Sequence, residues 1–146
     1  MHTLLIFSRI YAAMIAMSFR ESYVEGRNPW DKRKLGWRIH LGKKFVLPAY
    51  HFYVFRVMLP LLLTLPLVIY GRNVQLFGIL VSAYFSGIVI EDFFRFVVNP
   101  TVKLKEFRSD FSDYYPWIRI KDKKIIPSGY IRGIAIALLS WYFLWK

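Results

Sequence analysis

The chain has 146 residues, 56% of them hydrophobic and 19% aromatic, with a mean hydropathy of +0.34. That is room for one domain, 1–146, too apolar for a disordered tail and unusually apolar for a small soluble fold. The net charge of +12 comes from 21 Lys and Arg against 9 Asp and Glu, and the lack of cysteine excludes disulfides, thiolate metal sites, cysteine nucleophiles and iron–sulfur clusters.

The first segment, up to Ser18, is apolar apart from Arg9. A signal peptide places its positive charge ahead of an unbroken apolar run, whereas here His2 leads and Arg9 interrupts. A retained helix over 3–27 is expected, with an amphipathic helix lying along the interface as the alternative. A basic stretch follows over 28–48. Two long apolar runs, 49–70 and 74–98, are each long enough to cross a hydrocarbon core of ~30 Å. Only Gly71-Arg72-Asn73 separates them, so the two helices are antiparallel neighbours. A second basic stretch covers 99–127. A last apolar run, 128–145, ends in Trp141, Tyr142 and Trp145, residue types that favour the headgroup level.

Fifteen of the 21 basic residues lie in 28–48, counted with the flanking turn from Phe19, and in 99–127; the turn between the central spans has only Arg72. The positive-inside rule then predicts two cytoplasmic loops and a multi-pass protein of the cell membrane with both termini outside. Nucleic-acid binding is not supported, because the charge flanks apolar spans and no nucleic-acid signature accompanies it.

The two basic loops resemble one another. Each carries two β-prone runs, around Gly42-Lys43-Lys44 and around Asp122-Lys123-Lys124, so each predicts a short hairpin. Trp37 and Trp117, Lys43 and Lys123, Lys44 and Lys124, and Tyr50 and Tyr130 share one offset. Asn28-Pro29 and Asn99-Pro100 each follow a helix, and Glu21 and Asp92 each stand seven residues before the Asn. The expected fold is therefore all-α and integral to the membrane, with four transmembrane helices as two parallel helix-hairpin-helix repeats and cytoplasmic β-hairpins that cap them.

Ionisable residues inside spans are costly and mark candidate sites. Arg56 and Glu91 stand at equal depth in the antiparallel pair, and Glu91 and Arg95 share a helix face by their i,i+4 spacing. An intramembrane cluster of Arg56, Glu91, Asp92 and Arg95 is expected, joined by Arg132 and Glu21. Pro60 and Pro66 are expected to bend the second span around it. Lys43, Lys44, Lys123 and Lys124 suit anionic lipid headgroups. His51 near Glu91 and Asp92 is a metal-ligand candidate, although no His-x-x-His or Glu-x-x-His spacing supports it. No cofactor motif, phosphate loop or nucleophile elbow is present.

The leading functional expectation is a non-catalytic accessory subunit of a larger membrane assembly, with membrane lipids and other subunits or further copies as partners. The alternative is a small membrane enzyme, or a lipid- or phosphate-binding protein, that uses the Arg/Glu/Asp cluster with a metal. A transporter component ranks third, since the charges lie near one face and not at the midplane.

Overall fold

The computed structural model describes residues 2–27, 35–41 and 45–146. Asn28, Pro29, Lys43 and Lys44 lie outside the described residues. The chain is mostly helical, 73%, with two small antiparallel sheets. In order these are α1 (His2–Glu25), the hairpin β1 (Arg38–Leu41) and β2 (Phe45–Pro48), α2 (Ala49–Tyr70), α3 (Val74–Val98), two 3₁₀ turns (Leu104–Arg108 and Asp110–Ser112), the hairpin β3 (Trp117–Ile120) and β4 (Lys123–Pro127), and α4 (Ser128–Ser140), which runs on into a π-helical turn at Trp141–Trp145. Three helices, α1, α2 and α3, are long and apolar enough to cross a membrane. The last helix, which reaches Trp145 through its π-helical turn, is not among them.

Helix α3 is the central element because its small residues admit neighbours on two sides. A Cβ added at Gly87 would lie 3.0 Å from Met14 of α1, one at Gly78 would lie 2.6 Å from Leu144, and one at Gly133 of α4 would lie 2.9 Å from Val89. Where backbones approach this closely, hydroxyls bridge them. Ser18 donates to the Glu91 carbonyl at 2.9 Å, Ser82 to that of Ala137 at 2.8 Å, and Ser140 to that of Gly78 at 2.9 Å. Such bonds fix helix pairing in lipid, where apolar burial supplies no drive between helices. Ile10, Met14, Leu80, Ala83 and Tyr84 form the core, with Leu59, Leu63 and Leu67 of α2 against it. The outward apolar side chains, such as Leu4, Leu61, Val68, Leu138 and Phe143, are more than half exposed.

Helix α2 contains a π-helical segment, Phe52–Met58, just ahead of Pro60. In that register the Leu59 N–H bonds to the Val54 carbonyl. The next donor in line, for the Phe55 carbonyl, is the N–H that Pro60 lacks. The Tyr84 hydroxyl of α3 supplies it instead. The proline thus exposes a carbonyl that ties α2 to the central helix.

The two hairpins are alike in form, but their residues do not follow the offset seen in the sequence. The paired ends Arg38/Pro48 and Trp117/Pro127 are each 79 positions apart, whereas Trp37 and Trp117 differ by 80. The second hairpin turns at Lys121-Asp122, whose φ values of 46° and 64° are those of a two-residue hairpin loop. The turn therefore lies one residue earlier than Asp122-Lys123-Lys124, and Lys123 and Lys124 belong to β4 with a register irregularity beside them. The ends of the chain come together: Phe7 and Trp145 have ring centroids 5.9 Å apart, so α1 begins where the last helix ends.

The two glycines of Gly129-x-x-x-Gly133 differ in role, since a Cβ at Gly129 meets nothing within 4 Å. Gly133→Leu is expected to lower stability in detergent by ~1–3 kcal/mol through overpacking against α3. Gly129→Leu leaves it unchanged, as thermal unfolding of the two variants will show.

Candidate functional site

The ends of α1 and α3 meet the start of α2 at the hairpin-bearing end of the bundle. On α1 the buried polar residues Ser18, Glu21, Ser22 and Glu25 follow helical spacing, which places them on one stripe. That stripe faces α3, where Glu91 and Arg95 are buried one turn apart. His51 stands in the first turn of α2 and completes the group. Gly26, with φ +60°, ends α1 in a left-handed cap, and its carbonyl accepts from the Asn99 side chain at 3.1 Å. The Asn99 Oδ1 in turn accepts the backbone N–H groups of Thr101 and Val102. This is why Asn-Pro suits the end of α3: the asparagine closes the turn that the proline opens, and it locks α1 alongside.

Arg95 Nη1 lies 2.7 Å from Glu25 Oε2 and 4.0 Å from Glu21 Oε2. The other oxygens of the same carboxylates face His51. Glu21 Oε1 is 3.5 Å from Nε2, and Glu25 Oε1 is 3.3 Å from Nδ1. Glu21 is only 1% exposed and Glu91 only 3%. Glu91 adjoins Glu21, and Glu21 Oε1, Glu91 Oε1 and His51 Nδ1 are buried with no hydrogen-bond partner among the described residues. Glu25 is the last residue of α1, where the helix dipole disfavours negative charge. Among the described residues, three buried carboxyls, Glu21, Glu25 and Glu91, stand around one guanidinium, that of Arg95.

Asp92 points to the other side of α3, toward the cap. Tyr115 donates to both its oxygens, at 2.7 and 2.8 Å, and Tyr130 of α4 donates at 2.6 Å. The Tyr114 hydroxyl accepts from Arg95 Nη2 at 3.0 Å. Phe107 packs on Phe96, Trp117 and Tyr130, and with Tyr115 it seals the cap over the charges. Burial pushes the Tyr114 phenol up to about 12 and Tyr115 well above the usual phenol range, with the Asp92 carboxylate adding to both.

The structure brings Glu21, Glu91, Asp92 and Arg95 into one region. Arg56 and Arg132 are exposed and form no ion pair among the described residues. Equal depth put Arg56 beside Glu91 in the sequence reading, but the side chain leaves on the outward face of the π-helical segment. Of the three metal-ligand candidates, His51 meets Glu21 and Glu25 rather than Glu91 and Asp92, because α1 lies against the start of α2 and the tyrosines claim Asp92. Among the headgroup lysines, Lys123 is exposed. Lys124 is turned inward, 2.9 Å from Asp113 and over the Trp117 ring. Glu25, Tyr114 and Tyr115 were not singled out from the sequence. Glu25 carried a signal in its i,i+4 spacing from Glu21. The tyrosines carried none, since their loop offers no periodicity.

Comparison with known protein families, curated proteins and solved structures finds no match for this chain.

Replacing Arg95 by Met strands the carboxylates around it, and unfolding in denaturant is expected to register a loss of ~3–5 kcal/mol. For Tyr114 the raised value means that the folded state prefers the neutral phenol. That contribution is full below the ordinary phenol range near pH 10 and is lost as pH rises through about 12. A spectrophotometric tyrosinate titration should show a late-ionising class that Tyr114→Phe reduces.

Proposed function

We propose that the protein is a small membrane enzyme or lipid-handling protein whose working part is the buried centre of Glu21, Glu25, His51, Glu91 and Arg95. One observation carries this reading. Two buried carboxyls, Glu21 and Glu91, are held against one another, each with an oxygen that has no hydrogen-bond partner among the described residues, which a purely structural role would leave satisfied. A non-catalytic accessory subunit, the reading favoured by the absence of sequence motifs, has no use for such an arrangement. A phosphate or an anionic headgroup is also a poor occupant, since among the described residues three carboxyls and one guanidinium are buried there. A cation fits the centre better.

The membrane arrangement that goes with this reading has four crossings in two parallel halves, with the basic loops in the cytoplasm and both termini outside. The meeting of Phe7 with Trp145 and the hairpin ahead of both α2 and α4 support it. The exposed Lys123 then faces anionic lipid, and the centre lies just beneath that surface.

The test is replacement of the chromosomal copy by Glu21→Gln or Glu91→Gln in the native host. Each variant is expected to insert, to fold and to keep whatever proteins co-purify with the wild type, yet to reproduce the phenotype of a deletion. Full restoration by both variants would refute the reading and return the protein to the accessory class.

A further inference from the structure

We propose that Glu21, Glu25 and His51 form a binding site for a divalent first-row transition-metal ion, with Arg95 holding the two α1 carboxylates from behind. The inference rests on the reading of this centre as the working part of the protein. It goes further by naming the cation.

The geometry supports it at three points. One ligand atom from each of Glu21, Glu25 and His51 lies within 4.8 Å of the others. Bonds of ~2.0–2.2 Å to one tetrahedral ion require ligand atoms roughly 3.4 Å apart. Nε2 stands 3.5 Å from Glu21 Oε1 and Nδ1 stands 3.3 Å from Glu25 Oε1, so an ion on either nitrogen has one carboxylate at ligating distance and needs the second to turn toward it. Secondly, the carboxylates are oriented. Arg95 lies 2.7 Å from Oε2 of Glu25 and 4.0 Å from Oε2 of Glu21, which leaves both Oε1 atoms directed at His51.

The third point is independent of the acidic cluster as such. Glu21 is 1% exposed and its Oε1 has no hydrogen-bond partner among the described residues. The Glu91 Oε1 and His51 Nδ1 are buried and equally lacking. A buried carboxylate oxygen aimed at an imidazole nitrogen at 3.5 Å is poorly served by a neutral ring and well served by a dication between them. The donor set narrows the choice. Two carboxylates with one imidazole suit the Mn²⁺, Fe²⁺ and Zn²⁺ class, whereas Mg²⁺ and Ca²⁺ prefer oxygen alone and Cu⁺ prefers sulfur.

The test uses the full chain in mild detergent. Metal analysis of protein from its native host is expected to find about one equivalent of a first-row transition ion, as a single such site holds. After chelation, Co²⁺ should restore one equivalent with the visible bands of a tetrahedral N/O site, and a large excess of Mg²⁺ should not displace it. His51→Ala is expected to weaken Co²⁺ binding beyond the ~10–100-fold typical of losing an outer-shell partner. Glu106→Gln, outside the centre, should bind as the wild type does. The wild-type titration needs no variant to fold, so absent Co²⁺ bands, or metal that persists unchanged in His51→Ala, overturns the proposal. The two readings fail separately. A metal-free protein whose Glu21→Gln and Glu91→Gln forms lose function overturns the metal and leaves the centre working as a proton site. A metal-binding protein whose variants stay functional keeps the site and removes its role.

Discussion

Arg95 reaches across from the central helix to Glu25 of the first at 2.7 Å, with both side chains nearly inaccessible to solvent. In that setting the attraction is strong but the desolvation cost is of the same order, so the pair contributes position more than stability. Much of the hairpin-bearing end depends on it. Because Arg95 is anchored to α1 by one nitrogen and to the Tyr114 hydroxyl by another, it aligns two helices and the cap at one point. Glu21 and Glu25 then offer one oxygen each to the arginine side and one to His51.

The surrounding fold maintains this arrangement by satisfying backbone groups wherever regular structure leaves them open. Pro60 removes the donor for the Phe55 carbonyl, and Tyr84 replaces it. The end of α3 is closed by Asn99, and the same side chain grips the end of α1. Serines along α1, α3 and α4 bond to carbonyls of neighbouring helices where glycines allow close approach. These contacts are directional, unlike apolar packing against lipid. The helices are therefore held in one rotational setting, which a site built from three of them requires.

Part of this was legible in the residues. Long charge-poor runs predict helices able to cross a bilayer, and α2 and α3 begin and end where Pro48, the Gly71-Arg72-Asn73 link and Asn99-Pro100 place them. Ionisable groups within those runs marked Glu21, Glu91, Asp92 and Arg95 as unusual. The partners were not legible. Depth alone matched Arg56 to Glu91, but rotation about the helix axis decides which face a residue occupies, and the π-helical segment shifts that rotation after His51. The lysine pairs showed the same limit. The positive φ at Lys121 and Asp122 moved the hairpin turn by one residue, and in a strand one residue is the difference between opposite faces.

What the sequence determined by itself is the elements and which of them suit a bilayer: apolar length sets the latter, and Gly, Asn and Pro set where the segments stop. Those are local properties, decided by transfer free energy and by backbone chemistry within a few residues. Only the tertiary structure decided that Glu21 and Glu25 share His51 and Arg95 while Asp92 is claimed by two tyrosines. Glu21 and Arg95 are 74 positions apart, and their meeting depends on helix rotation and close backbone approach, quantities that no local pattern in the chain encodes.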